Sequence, residues 1–164
     1  ARALHDFTPV GDTDSEHAFC WILSELRTAF PGGYPEDRPQ ELWRCLAELG
    51  GTLGAEGTFN FLLGDGNHLY ARCATKLCYI IRQAPFGRAK LKDAEVEVDF
   101  SGVTTPNDRV AVVATEALTC DESWTVGRPG TLWVFRQGAL AAELDSHDPS
   151  GRPERPVKLD PACL

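Results

Sequence analysis

Nowhere in the 164 residues does an apolar run approach the roughly 20 consecutive positions a membrane helix needs, and no positively charged start precedes a short apolar segment as in a signal peptide. Neither a membrane span nor secretion is expected, and the cytoplasm is the default compartment. Basic charge is scarce too. Lys and Arg number 16 against 24 Asp and Glu, for a net charge of −8 and a pI near 4.9. The basic residues are scattered, so the clustered cations that hold a phosphate backbone are missing and nucleic acid is not an expected partner. Six cysteines (Cys20, Cys45, Cys73, Cys78, Cys120 and Cys163) contain no Cys-x-x-Cys pair and match no zinc spacing. Cys20 and Cys45 fall on predicted helix faces and Cys73 and Cys78 in or beside predicted strands, where a free thiol behaves as a small buried hydrophobe. His68 with Cys73 and Cys78 supplies no fourth ligand, so no metal is expected.

What is present fits a globular domain. With 43% hydrophobic and 24% charged residues the chain can build one core, and a domain of this length buries roughly 70% of its unfolded surface.

The chain is organised around Gly11-Asp12-Thr13-Asp14-Ser15-Glu16, followed at once by an apolar-periodic run over 18–30. Thr13 and Glu16 are spaced as a capping box, in which the Thr hydroxyl takes a backbone N–H of the first turn and the Glu carboxylate reaches back to the cap N–H. Asp14 is then a first-turn residue, where the helix dipole favours a carboxylate. By itself that residue either decorates a helix start or holds an ammonium ligand. Ala18, Phe19, Ile22, Leu23, Leu26 and Phe30 form the core stripe of this helix, with Trp21 at its flank and Ser24 off it. Before the helix, 1–10 reads as a loop in which His5 and Asp6 form a solvated polar pair.

Pro31-Gly32-Gly33 stops the first helix, and a second runs over 40–50 to a Gly50-Gly51 stop, with Leu42, Trp43, Leu46 and Leu49 in helical spacing; 53–56 offer one further turn, against which Gly51 and Gly54 weigh. From Thr58 the period becomes strand-like. Phe59-Asn60-Phe61-Leu62-Leu63, the turn Gly64-Asp65-Gly66-Asn67 and His68-Leu69-Tyr70-Ala71 predict a hairpin. That Gly-rich turn precedes a strand and so lacks the context of a phosphate cradle. Strands follow over 78–83, near-continuously apolar and read as buried on both faces, and over 94–100, alternating and half-exposed. Strand 109–115 is the most hydrophobic and is read as central. A closing hairpin is made by 130–135 and 139–144 about an Arg136-Gln137-Gly138 turn. Helices followed by antiparallel strands predict an α+β domain, with the helices on one face of a sheet. Beyond Leu144 four prolines and few apolar residues predict a disordered tail over 145–164.

Thr-Asp-Ser-Glu-x-x-Phe at the head of an amphipathic helix resembles the segment of class II glutamine amidotransferases that holds the glutamine α-amino group through its Asp. Other stretches fit the small single-domain members of that family, including relatives of the ergothioneine-biosynthesis amidohydrolase. These are Gly57-Thr58-Phe59-Asn60-Phe61-Leu62-Leu63-Gly64-Asp65-Gly66, Arg82-Gln83-Ala84-Pro85-Phe86-Gly87-Arg88-Ala89, Val112-Val113-Ala114-Thr115-Glu116-Ala117-Leu118, and Trp124 ahead of the last strand pair. The resemblance covers about 10–144 and is specific in combination.

It implies an N-terminal-nucleophile (Ntn) hydrolase-like αββα sandwich, with glutamine or a γ-glutamyl amide as substrate and no cofactor. The family's nucleophile is an N-terminal cysteine whose own α-amino group is the base, and an Asn-Gly pair forms its oxyanion hole. Neither a Cys-Arg start nor an Asn-Gly pair occurs in this sequence. The chain is therefore expected to correspond to the C-terminal two-thirds of such a domain over 1–144. Its N-terminal strands and nucleophile would be missing, leaving no catalytic residue of its own. Of the substrate site the resemblance assigns Asp14, with Thr13 and Ser15 able to add hydrogen bonds. Arg88, as a carboxylate partner, and Glu116, at a strand end, are weaker candidates to which no role transfers. The alternative expectation is a binding or regulatory module that keeps the amidotransferase fold without its chemistry.

Overall fold

The computed structural model describes residues 6–86 and 105–146 in full, and the backbone alone of 88–90, 97–99 and 157–158. Two helices come first, α1 (Asp14–Ala29) and α2 (Pro39–Gly54). Ten strands follow: β1 (Phe61–Gly64), β2 (Leu69–Arg72), β3 (Cys78–Gln83), β4 (Arg88–Lys90), β5 (Glu97–Asp99), β6 (Arg109–Ala114), β7 (Thr125–Val126), β8 (Thr131–Arg136), β9 (Ala139–Asp145) and β10 (Val157–Lys158). All their pairings are antiparallel, in sheets of order β1-β2-β8-β9, β10-β7-β3-β6 and β4-β5.

The period-two alternation of β2 and β8 builds the layers. Tyr70, Leu132 and Val134 point to the helices and join Trp21, Ile22, Leu26, Leu42 and Leu46. Ala71, Trp133 and Phe135 point the other way, onto Leu77 and Tyr79 of the second sheet. Tyr79 stands edge-on to both Trp133 and Phe135, at centroid distances of 4.8 and 5.1 Å. The order is thus helix pair, sheet, sheet. On the outer face of the second sheet Trp124 packs against Cys78 and Ile80. It is held there by Arg82 of β3, which forms a two-pronged ion pair with Glu122. Thr119 Oγ1 donates to Glu122 at 2.6 Å and accepts from Trp124 Nε1 at 2.9 Å.

Several sequence expectations are corrected. Phe19, placed on the core stripe, is 45% exposed, whereas Trp21 and Ser24 are buried. The buried arc of α1 is rotated toward the bulkier indole, and Ser24 tolerates burial because its hydroxyl donates to Cys20 O at 2.9 Å. α2 does not stop at Gly50 but continues to Gly54, because Gly50 and Gly54 both face the buried Arg72 side chain and packing overrides propensity. β3 is not buried on both faces throughout, since Ile81 at its outer end is exposed. β6, read as central, is an edge of its sheet among the described strands, with Val110 44% exposed. At the edge of the first sheet, Leu62 of β1 points to the same side as its partner Ala71 but is 55% exposed, because the second sheet does not reach it.

The closing hairpin forms as expected, with Gln137 and Gly138 at φ 49° and 69°, as a tight turn requires. Ordered structure continues past Leu144 to Ser146, whose N–H donates to Gly130 O at 2.7 Å, and the backbone of β10 pairs with β7. The rest of the tail expected to be disordered lies outside the described residues. So do most of the strand expected over 94–100 and the side chain of Arg88.

Candidate functional site

The first turn of α1 is built by local hydrogen bonding. Thr13 is extended, at φ −75° and ψ 143°, and its hydroxyl accepts from Glu16 N at 3.3 Å. The Glu16 carboxylate does not return to the cap N–H, as the capping-box reading had it. It reaches further, accepting from Val10 N at 2.6 Å and Gly11 N at 2.8 Å, because the chain before the cap curls back over the helix end. Gly11 permits this approach, since a Cβ there would stand 2.8 Å from Glu16 Oε2. Asp6, the described member of the pair read as a solvated turn, meets Arg27 of the last turn at 3.1 Å. Residues 6–11 therefore run back along α1.

Asp14 is exposed at this helix start. Its Oδ1 accepts from Ser15 N at 2.8 Å and Ser15 Oγ at 3.4 Å, while Oδ2 takes no hydrogen bond from a described residue. The three predicted site residues are thus brought together with different duties. Thr13 is occupied as the cap, Ser15 supports Asp14, and Asp14 alone offers an open oxygen beside the positive end of the helix.

A second polar cluster lies at the β1–β2 hairpin tip. Asp65 Oδ1 accepts from Asn67 N at 2.8 Å and His68 N at 2.6 Å, and Oδ2 faces His68 Nδ1 at 3.2 Å and the Tyr70 hydroxyl at 2.6 Å. Burial alone would raise the Asp65 carboxyl, but the hydrogen bonds from Tyr70, from the His68 and Asn67 backbone and from the His68 ring outweigh it and hold it below its ordinary value. Burial, and then the Asp65 contact, push the Tyr70 phenol up. Beside this cluster a cavity of about 730 Å3 is lined by Tyr34, Glu36, Asp65, His68, Tyr70 and Arg136, among others. Asp14 is not among its lining residues. The sequence showed the Asp65-Gly66 turn but not this cavity, which needs the loop at 32–36 folded over the hairpin tip.

Comparison with known proteins places the chain. A family model described as glutamine amidotransferases class-II matches residues 1–158. The chain belongs to that family. Over 133 residues it is 45% identical to "Putative glutamine amidotransferase YafJ" of Escherichia coli (strain K12), covering 81% of this chain and 51% of that protein. It is 36% identical over 140 residues to a Haemophilus influenzae protein named "Putative glutamine amidotransferase", covering 85% and 47%. The chain thus spans about half the length of these relatives. The crystal structure of a predicted glutamine amidotransferase from Pseudomonas aeruginosa PA01 superposes with a TM-score of 0.71 at 43% identity, covering 85% of this chain and 57% of that one.

Within this class II amidotransferase chain four of the described thiols are wholly or partly buried, and Cys120 is exposed. Cys20, Cys73 and Cys78 are buried. Burial, then Glu48 and Glu25, push the Cys45 thiol up to about 11, and burial raises Cys73. Raised thiols hold their protons at neutral pH and are poor nucleophiles. Glu116 is exposed on the loop after β6. Among the described residues no group of three His, Cys, Asp or Glu is placed to hold a metal ion, and no helix is long and apolar enough to cross a membrane.

Proposed function

We propose that this chain supplies the substrate-holding part of a glutaminase site, in which Asp14 pairs through Oδ2 with the α-ammonium of glutamine or of a γ-glutamyl amide. That grip turns the side-chain amide toward a nucleophile. In the proposed reaction the sulfur of an N-terminal cysteine, its proton taken by that cysteine's α-amino group, attacks the amide carbon. The C–N bond breaks, the proton passes to the leaving nitrogen, and ammonia or the amine departs. Water then hydrolyses the thioester to glutamate and free thiol.

The cysteine, and the Asn-Gly donors that would stabilise the oxyanion, are assigned to polypeptide N-terminal to this chain. So are the strands that would extend the helix–sheet–sheet order to an αββα sandwich. The uncommitted Oδ2 of Asp14 at the head of α1 carries this reading, and the edge position of the most apolar strand, β6, agrees with it.

The test is ammonia release from glutamine by a polypeptide that joins this chain to an N-terminal segment beginning with cysteine and carrying an Asn-Gly pair. Losing a charge-assisted bond should raise KM in Asp14→Ala by about 10- to 100-fold or abolish turnover. Near-normal kcat/KM in that variant would remove Asp14 from the substrate site. A folded but inactive wild type would favour a binding or regulatory module that keeps the fold without the chemistry.

A further inference from the structure

Residues 6–11 form a strap along α1 that is clamped at both ends. At the near end the Glu16 carboxylate accepts from the N–H groups of Val10 and Gly11, two charge-assisted bonds of 2.6 and 2.8 Å. At the far end one guanidinium makes two contacts. Arg27 Nη1 donates to Asp6 Oδ2 at 3.1 Å, and Arg27 Cζ lies 5.6 Å from the centroid of the Phe7 ring. Glu16 and Arg27 stand about 16 Å apart along the helix axis, and an extended backbone from Asp6 to Gly11 spans about the same distance. Pro9 fixes its own φ and disfavours helical backbone at Thr8, so the middle of the strap is stiff. The Arg27 and Asp6 side chains are 62% and 59% exposed, so their pairing adds little to stability. What it fixes is the direction of the strap.

We infer that Arg27 is a positioning residue of the glutaminase site, acting through this strap and not on the substrate. The inference rests on the glutaminase reading, because it concerns polypeptide that precedes Asp6. Any such polypeptide, the assigned cysteine and Asn-Gly donors included, joins the domain through the strap. Arg27 itself lies about 20 Å along α1 from Asp14, too far to touch a substrate held there. A stiff strap held at both ends gives the incoming chain one direction. Released from Arg27 it pivots on the Glu16 clamp, and the nucleophile and oxyanion donors lose their alignment while Asp14 keeps its place. Substrate binding is then spared and the chemical step is slowed.

The test measures kcat and KM for glutamine in the polypeptide that joins this chain to an N-terminal segment beginning with cysteine and carrying an Asn-Gly pair. Arg27→Met should lower kcat about three- to tenfold at unchanged KM, the size of one exposed ion pair and one cation–π contact together. Arg27→Lys, which keeps a cation for both Asp6 and Phe7, should recover most of that loss. Arg27 is on the surface, so both variants should keep the fold, which Tm values matching the wild type would check. Asp14→Ala separates the two readings. A raised KM in that variant beside wild-type kinetics in Arg27→Met leaves the glutaminase reading standing and overturns this inference. A rise in KM at unchanged kcat in Arg27→Met, or a lysine variant no better than the methionine one, overturns it too. A folded wild-type polypeptide without activity overturns both.

Discussion

Gly54 lies directly against the guanidinium of Arg72: a Cβ placed on Gly54 would collide with Nη2, and one on Gly50 would stand 2.8 Å from Nε. Arg72 is 1% exposed, its Nη1 donates to Phe59 O at 2.8 Å, and burial pulls the guanidinium below its usual value. The two glycines cut a groove into α2 for a buried cation, which in turn ties the end of that helix to the strand entering the sheet. Gly54→Ala should therefore destabilise the fold by about 1–3 kcal/mol through overpacking, although alanine is the better helix former by about 1 kcal/mol. The cost should shrink in an Arg72→Met background, a coupling that a double-mutant cycle in urea would measure. A Gly54→Ala protein more stable than wild type would refute the groove.

The Tyr70–Asp65 contact predicts a pH dependence. The folded Asp65 carboxyl lies below its unfolded value of about 3.9. Its contribution to stability is therefore complete above that unfolded value and lost as pH falls through the lower, folded one. The Tm deficit of Asp65→Asn should be full at neutral pH and should narrow as the solution is acidified below about pH 4. Tyr70→Phe removes the strongest of the hydrogen bonds holding the carboxyl down, so its acid loss should be shallower than that of the wild type. Thermal melts across this range check both, and a deficit independent of pH would count against the assignment.

Local signals in the sequence carried the elements, because each has a short-range cause. The Thr13 cap, the Asp65-Gly66 turn and the Arg136-Gln137-Gly138 turn all act within a few residues. What depends on partners distant in sequence was not legible. The extension of α2 to Gly54 depends on Arg72, a residue in a later strand, and the edge position of β6 depends on which strands pair with it. The place of Asp14 in the first turn of α1 was readable because a helix start announces itself, while its substrate role comes from the family resemblance alone. The cavity beside His68 was not, since it joins loop 32–36, a hairpin tip and Arg136 from three separate stretches.

Gly11 is the hinge of the proposed substrate grip. Gly11→Ala would bring a methyl to 2.8 Å from Glu16 Oε2 and push that carboxylate off the Val10 and Gly11 N–H groups. Loss of this cap should cost about 1 kcal/mol of stability, and Glu16→Ala should reproduce it. On the glutaminase reading both variants also displace Asp14, so in the joined polypeptide KM for glutamine should rise while kcat changes little. A fall in kcat at unchanged KM would place Gly11 and Glu16 elsewhere in the mechanism.

Leu62 on edge strand β1 and Val110 on edge strand β6 present apolar surface beside backbone groups that no described strand pairs. Such edges recruit further strands, from the same polypeptide or from another copy. The 164-residue chain by itself should therefore bind a hydrophobic dye or self-associate, as fluorescence and light scattering would show. Leu62→Lys together with Val110→Lys should suppress both signals with little change in Tm, because neither side chain is packed in the core. An N-terminal segment that pairs with these edges should quench the dye in the unmutated chain, whereas the doubly substituted chain has little dye signal to lose. A monodisperse monomer that melts in one sharp transition and ignores the dye would show that these edges need no partner.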